Sequence, residues 1–284
     1  MPILPVEEIQ ELIPEFRGGF GKWVASTLRK WLSIGKVSDL YDRTCQSQGA
    51  DFAEALLKDL RVDVRVGCAE KLKNLPEGPF ITISNHPYGG LDGIMLIDLI
   101  GHLRPGFKVM VNQVLSLVKA LRPSLISVNP KDDNNLGMTV TNLKGIRQVM
   151  QSLQEGFPVG IFPSGAVSDY VPKENRIRDR EWQAPVLRLI KKSKVPIVPI
   201  HFLDRNSGFY YYLGLINWKI RVARLPAEIV NKAGKQARLV IGDTIPVDAQ
   251  SRFSDVGEFG AFLRDSVYSM PVPDQFVSRW ELLT

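Results

Sequence analysis

Hydrophobic and polar positions change period along the chain, and the changes divide it into three stretches. From Arg61 to about Val247, short apolar runs rich in Val, Ile and Phe read as strands: RVDVRV (61–66), FITISN (80–85), FKVMVN (107–112), LISV (125–128), VGIF (159–162), VPIVPIHF (195–202), KIRVAR (219–224) and ARLVIG (237–242). Helical stretches separate them: one begins near Asp92 and runs through GIMLIDLIGHL, one spans Gly137 to Glu155, and one is EWQAPVLRLIKKSK. The alternation predicts an α/β domain over 61–250, with a mixed, largely parallel sheet flanked by helices. Residues 1–60 read as an N-terminal helical appendage and 251–284 as a C-terminal helix and tail.

Within the appendage, Phe20, Trp23, Val24, Leu28, Trp31 and Leu32 recur at helical spacing on one face, with Lys22, Arg29 and Lys30 elsewhere. Such a basic amphipathic helix either packs on its own domain or lies in a membrane interface. A second helix, DFAEALLKDL, leads into the first strand. The most apolar runs, FYYYLGLINW (209–218) and VPIVPIHFL (195–203), fall short of the ~18 residues of a membrane span and read as buried strands or a docking loop.

Composition narrows the picture. The 284 residues are 44% hydrophobic and 23% charged, ordinary for a folded chain able to bury a core. Two cysteines, Cys45 and Cys68, make no disulfide framework and have no metal-ligand spacing, which fits a reducing cytoplasm. The N-terminus is acidic and proline-broken, unlike a signal peptide. A net charge of +6 suits an anionic lipid surface or an acidic carrier protein, or an uncommitted solvated surface. Nucleic acid is not expected, since no zinc-finger spacing, RNA-recognition signature or basic recognition helix is present.

The chemistry concentrates where strands end. SNHPYGGLDG (84–93) places one of only three histidines after an apolar strand, six residues before an aspartate. Pro87 stops the strand, Gly89 and Gly90 permit a sharp turn, and Asp92 falls in the first turn of the next helix. That geometry brings Asp92 back to the ring of His86, to accept from Nδ1–H and leave Nε2 open to a proton. The plainer alternative is a helix-capping aspartate beside an incidental histidine. A second strand end, FPSGAVSDY, offers Phe162, Pro163, Ser164 and Gly165 either as a turn whose backbone amides face an oxyanion or simply as a tight turn. The two prolines of VPIVPIHF imply an edge, a bulge or a partly open sheet. His201 within that run reads as a satisfied buried histidine, and His102 as a partner for a helix C-terminus.

Taken in order, these stretches resemble the glycerolipid acyltransferase superfamily, the lysophosphatidic acid acyltransferase-like enzymes, and within it the bacterial hemolysin-like acyltransferases. NHPYGGLDG, FPSGAVS, RDREW (178–182), DRNS (204–207) and VPIVPIHF carry the likeness, over about residues 35–247. The resemblance implies His86 as general base on a lipid hydroxyl, Asp92 behind it, and an acyl-carrier protein or coenzyme A thioester as acyl donor, with no metal, bound cofactor or acyl-enzyme. Asn85, Gly89, Gly90 and residues 162–165 would contact substrate or oxyanion. It also implies a peripheral protein on the cytoplasmic face of the inner membrane. Where relatives carry phosphate-binding arginines, this chain has Val167 and the arginine-free ISVNP (126–130). Arg176, Arg178 and Arg180 would substitute for them, unless that run is a solvated loop. An acceptor without phosphate, such as a hydroxyacyl amino acid, is therefore expected alongside a lysophospholipid. Two other classes remain open: a non-catalytic lipid- or carrier-binding protein, since the turn lacks the family's glutamate, and a hydrolase using Ser164.

Overall fold

A computed structural model describes residues 33–128 and 140–283. The basic amphipathic stretch from Phe20 to Leu32 lies outside them. Eleven α-helices are described: α1 (Ile34–Thr44), α2 (Gly49–Asp59), α3 (Gly90–Leu103), α4 (Val140–Gln154), α5 (Ala184–Ser193), α6 (Gly208–Ile216), α7 (Trp218–Ala223), α8 (Leu225–Val230), α9 (Val247–Gln250), α10 (Val256–Tyr268) and α11 (Arg279–Leu282). Ten strands accompany them: β1 (Asp63–Gly67), β2 (Ile81–Ser84), β3 (Lys108–Asn112), β4 (Leu125–Val128), β5 (Val159–Ile161), β6 (Asp169–Val171), β7 (Arg176–Arg178), β8 (Ile197–Phe202), β9 (Gln236–Ile241) and β10 (Phe276–Ser278).

Eight strands form one mixed sheet in the order β10-β1-β9-β8-β2-β5-β3-β4, and β6 pairs with β7 in a separate hairpin. The block β8-β2-β5-β3-β4 is parallel throughout, β9 runs against β8, and β10 against β1. Alternate positions on β2 and β8 feed opposite layers, as a sheet buried on both faces requires. On one face Val198, Ile200 and Phe202 join Phe52 and Leu57 of α2 and Met95 and Leu99 of α3. On the other, Ile81, Ile83 and Ile197 join Val149 of α4, Ile190 of α5, and Phe259 and Leu263 of α10. The C-terminal ends of β2, β5 and β8 therefore open side by side at the middle of the sheet, where ligand sites of open α/β sheets collect.

α3 is buried from Leu91 to Ile100, and even Asp98 is sealed within it. Arg279 of α11 reaches that carboxylate with two hydrogen bonds, 2.6 and 2.5 Å, and ties the C-terminal tail to the central helix. An uncompensated charge there would be destabilising by several kcal/mol.

Three expectations need correction. KIRVAR (219–224) is helical, lying largely in α7, and FYYYLGLINW (209–218) is mostly α6. FYYYLGLINW has no polar face to betray a helical period, and KIRVAR alternates Lys219 and Arg221 with Ile220 and Val222 as a strand would, whereas Ser207 and Asn217 cap α6 and α7 by accepting from the amides of Tyr210 and Lys219. Of the edge, bulge or partly open sheet expected for VPIVPIHF, the edge is excluded, since the strand is central, and one of its ladders is interrupted. Its prolines are tolerated because the ladder to β9 covers only Ile200–Phe202, with one further bridge from Ile197 to Ile245. Pro199 sits in that gap.

Candidate active site

β2 delivers Asn85 and His86 to the middle of the sheet, and the turn to α3 folds Asp92 back onto them. His86 Nδ1 lies 3.0 Å from Asp92 Oδ2, which also accepts the Tyr88 amide at 3.0 Å. Asp92 is fully buried, whereas 16% of the His86 side chain is exposed. The carboxylate is thus fixed behind a ring whose other edge remains accessible. The ring rests on Phe162 at the end of β5, with centroids 4.1 Å apart and planes at 31°. Gly89 makes the fold-back possible: its φ is +85°, and a Cβ there would come within 2.6 Å of Leu225 Cδ2.

The backbone of His86 is held as firmly as its ring. Its N–H donates to Asp179 Oδ1 at 3.1 Å, and its carbonyl accepts the Ser168 amide at 2.9 Å. Asp179 is buried and also accepts Ser168 Oγ at 2.6 Å and Trp182 Nε1 at 3.1 Å. Burial pushes its carboxyl above the usual carboxylate range, against the pull of these hydrogen bonds. Burial also lowers the pKa of His86, but the charge and hydrogen bond of Asp92, with the charge of Asp179, outweigh it. His86 therefore titrates above the ordinary imidazole value of 6.5. A ring so braced can take a proton at Nε2 while Asp92 stabilises the resulting imidazolium.

The sequence profile of the family described as acyltransferase matches residues 27–271, nearly the whole chain and both halves of this His–Asp pair. The chain belongs to the acyltransferase family. Two curated relatives of this acyltransferase, both called lyso-glycine lipid O-acyltransferase, are similar over almost their full length. The protein of Bacteroides thetaiotaomicron is 27% identical over 258 residues, covering 88% of this chain and 90% of the relative. That of Phocaeicola vulgatus is 29% identical over 261 residues, covering 88% of each. Among solved structures, the 1-acyl-sn-glycerophosphate acyltransferase PlsC of Thermotoga maritima overlays with a TM-score of 0.48 at 14% identity, covering 82% of this chain and 77% of that one.

The remaining candidate residues of the acyltransferase divide into those beside the ring and those that hold the scaffold. Asn85 is a staple: it donates to the Phe202 carbonyl at 2.9 Å and accepts the Phe202 amide at 2.8 Å, locking β2 to β8. The Gly165 amide is bonded to the Phe162 carbonyl, and the Pro163 carbonyl accepts the Gln183 amide, so the backbone of this turn is engaged internally. Gly165 holds a φ of +63° with Gln183 packed where a Cβ would stand. Ser164 is buried and its hydroxyl donates to Ala166 at 2.7 Å rather than to His86, unlike a nucleophile paired with its base. Gly89 and Gly90 open α3, which has no side-chain cap, and the N-terminus of a helix favours an anion.

Arg176, Arg178 and Arg180 lie on or beside the β6–β7 hairpin. Arg176 and Arg178 pair with Glu174 at 3.4 and 2.5 Å, and Arg180 with Asp169 at 2.6 Å. Arg178 and Arg180 line an open hollow of about 370 Å³ with Asp179 and Arg264, in which carboxylates offset the guanidinium groups. Asp179 was not among the sequence candidates. Its place in RDREW drew attention only to the flanking arginines, and nothing local shows that it meets His86 from 93 residues away. His201 differs from expectation: its Nδ1 is buried without a hydrogen-bond partner among the described residues, and burial lowers its pKa to about 4, so it is a neutral imidazole, its ring 5.5 Å from that of Tyr268. His102 does end α3, with Nδ1 2.6 Å from the Asp98 carbonyl. Glu54, Asp98 and His102 stand close enough together to resemble a metal-ligand set, but Arg279 bonds both carboxylates, and the cluster is an ion-pair network.

Proposed function

We propose that this acyltransferase O-acylates a lipid hydroxyl, taking the acyl group from a thioester of acyl-carrier protein or coenzyme A. The observation that carries this reading is the 3.0 Å contact between His86 Nδ1 and buried Asp92, with the ring still open at its other edge. His86 Nε2 takes the acceptor's hydroxyl proton as the oxygen bonds to the thioester carbonyl carbon. The tetrahedral oxyanion is met by the first amides of α3, near Gly89 and Gly90. Collapse breaks the carbon–sulfur bond, and the proton held on His86 passes to the departing thiolate. The products are an O-acyl ester and a free thiol, with no acyl-enzyme. General-base assistance of this kind is worth about a hundred- to ten-thousand-fold, and the oxyanion donors about 3 kcal/mol more. Holding acceptor and thioester together supplies the rest.

The acceptor is a hydroxyacyl amino acid rather than a lysophospholipid. Val167 and the arginine-free ISVNP (126–130) stand where phosphate-binding arginines are expected, and the arginines near the hairpin are matched by Glu174 and Asp169. The names of the two bacterial relatives support the same choice, since a lyso-glycine lipid carries no phosphate. With a membrane-resident acceptor and a cytoplasmic thioester donor, this reading has the enzyme work peripherally at the cytoplasmic face. The test is direct. Purified protein is given an acyl thioester with either an N-(3-hydroxyacyl)glycine or lysophosphatidic acid, and products are read by mass spectrometry. The expected result is a diacylated glycine lipid, abolished by His86→Ala. Acylation of lysophosphatidic acid alone would overturn the acceptor, and undiminished turnover by His86→Ala would overturn the base.

A further inference from the structure

α6 is apolar on the side away from the core as well as the side facing it, and α7 is apolar on its outer side. On α6, Tyr210, Tyr211 and Leu213 are buried, yet Tyr212, Leu215 and Ile216 face solvent, Ile216 at 62% exposure. On α7 the pattern is inverted: the charged Arg221 is buried and Trp218, Ile220 and Val222 are exposed, Trp218 at 57%. A helix apolar all round belongs against something on every side. Contiguous exposed apolar surface of this kind marks an interaction site. The orientation is locked. Arg221 donates to the Ser168 carbonyl at 3.3 Å and pairs with Asp169, so α7 cannot roll its apolar side chains inward.

We infer that the outer face of α6 and α7 docks the enzyme on an anionic lipid bilayer. Charge argues for a bilayer over another protein surface: between Asp204 and Glu228 the chain carries exposed Arg205 and Lys219 and no acidic residue, while Arg221 and Arg224 are paired with Asp169 and Glu228. Exposed Lys219 lies over the ring of Trp218 at 5.9 Å, a cation beside an aromatic as a headgroup boundary favours. The inner side of the same helices braces the reacting loop. Tyr211 donates its hydroxyl to the Pro87 carbonyl at 2.9 Å, one residue from His86, and Leu225, just after α7, packs on Gly89. A bilayer on the outer side is then one helix thickness, ~10 Å, from the loop that carries His86. The inference rests on the proposed function in one respect, that the acceptor resides in a membrane.

The test is co-sedimentation of the full chain with phosphatidylcholine vesicles, with and without phosphatidylglycerol. The wild type should bind the anionic vesicles more strongly. Leu215→Ser/Ile216→Ser/Trp218→Ser should weaken that partition by more than about tenfold. It should leave turnover of a short-chain, water-soluble acceptor unchanged. Arg205→Glu/Lys219→Glu, which removes no apolar surface, should erase the preference for phosphatidylglycerol. Partition of both variants equal to wild type would overturn the inference. So would loss of binding on Trp23→Ala/Trp31→Ala with the α6–α7 variants intact, or a wild-type dimer that the triple variant splits without changing its vesicle binding. Because partition is read without turnover, docking as expected in a protein that transfers no acyl group sinks the proposed reaction alone. Turnover with unaltered partition sinks the docking face alone.

Discussion

His86 is held at three points that do different things. Asp92 fixes the ring and its charge, Phe162 sets its plane, and Asp179 fixes its backbone. The first was legible in the sequence, because strand, turn and carboxylate all lie within nine residues of one another and local rules of chain reversal connect them. The third was not, because Asp179 arrives from a distant segment and acts through the main chain. Its role has its own signature. Asp179→Asn keeps the volume but weakens three hydrogen bonds to the loop, from Ser168, the His86 amide and Trp182. We expect kcat/KM for acyl transfer to fall by about ten- to a hundredfold, an order typical of a lost positioning contact. Asp179 is the weakest of the influences that raise His86, so the acid limb of the pH profile should move down less than when Asp92 is neutralised. An Asp179→Asn enzyme with wild-type kinetics would remove it from the site.

At the level of elements, the turn between β2 and α3 depends on the helices opposite it. Gly89 combines a positive φ with a close approach to Leu225. Gly89→Ala should therefore be destabilising by about 1–3 kcal/mol in urea unfolding. The double variant Gly89→Ala/Leu225→Ala should not recover that loss, because relieving the clash leaves the backbone strain and opens a cavity. Full recovery would show that the turn tolerates an L-residue and that only packing matters. The same region marks where sequence patterning failed. α6, α7 and α8 are six to nine residues each, too short for a 3.6-residue period to develop, and in α7 Lys219 and Arg221 alternate with Ile220 and Val222 as in a strand. Their helicity comes from caps at Ser207 and Asn217 and from the buried Arg221, which are visible only once the chain is folded. Strands β2, β5 and β9, by contrast, announced themselves by short runs of branched residues bounded by turn residues.

At the scale of the whole molecule, the three-layer arrangement followed from alternation of strands and helices, and the parallel block around β2 places the ends of β5 and β8 on either side of His86. The position of the C-terminal strand and of Arg279 against Asp98 was not foreseeable, since an ion pair spanning 181 residues leaves no local trace. The account as a whole turns on one ring acting as a base with a carboxylate behind it. Its most direct test is the pH dependence of kcat/KM for acyl transfer in the wild type and in Asp92→Asn. A base works only when unprotonated, so activity is lost as pH falls through the pKa of His86. That pKa is raised, and the wild-type acid limb should therefore lie above pH 6.5. Asp92→Asn removes the raising charge and leaves burial, which lowers the pKa. The limb should move to lower pH while the plateau falls by about a hundred- to ten-thousand-fold. Superimposable profiles for the two proteins would contradict the account.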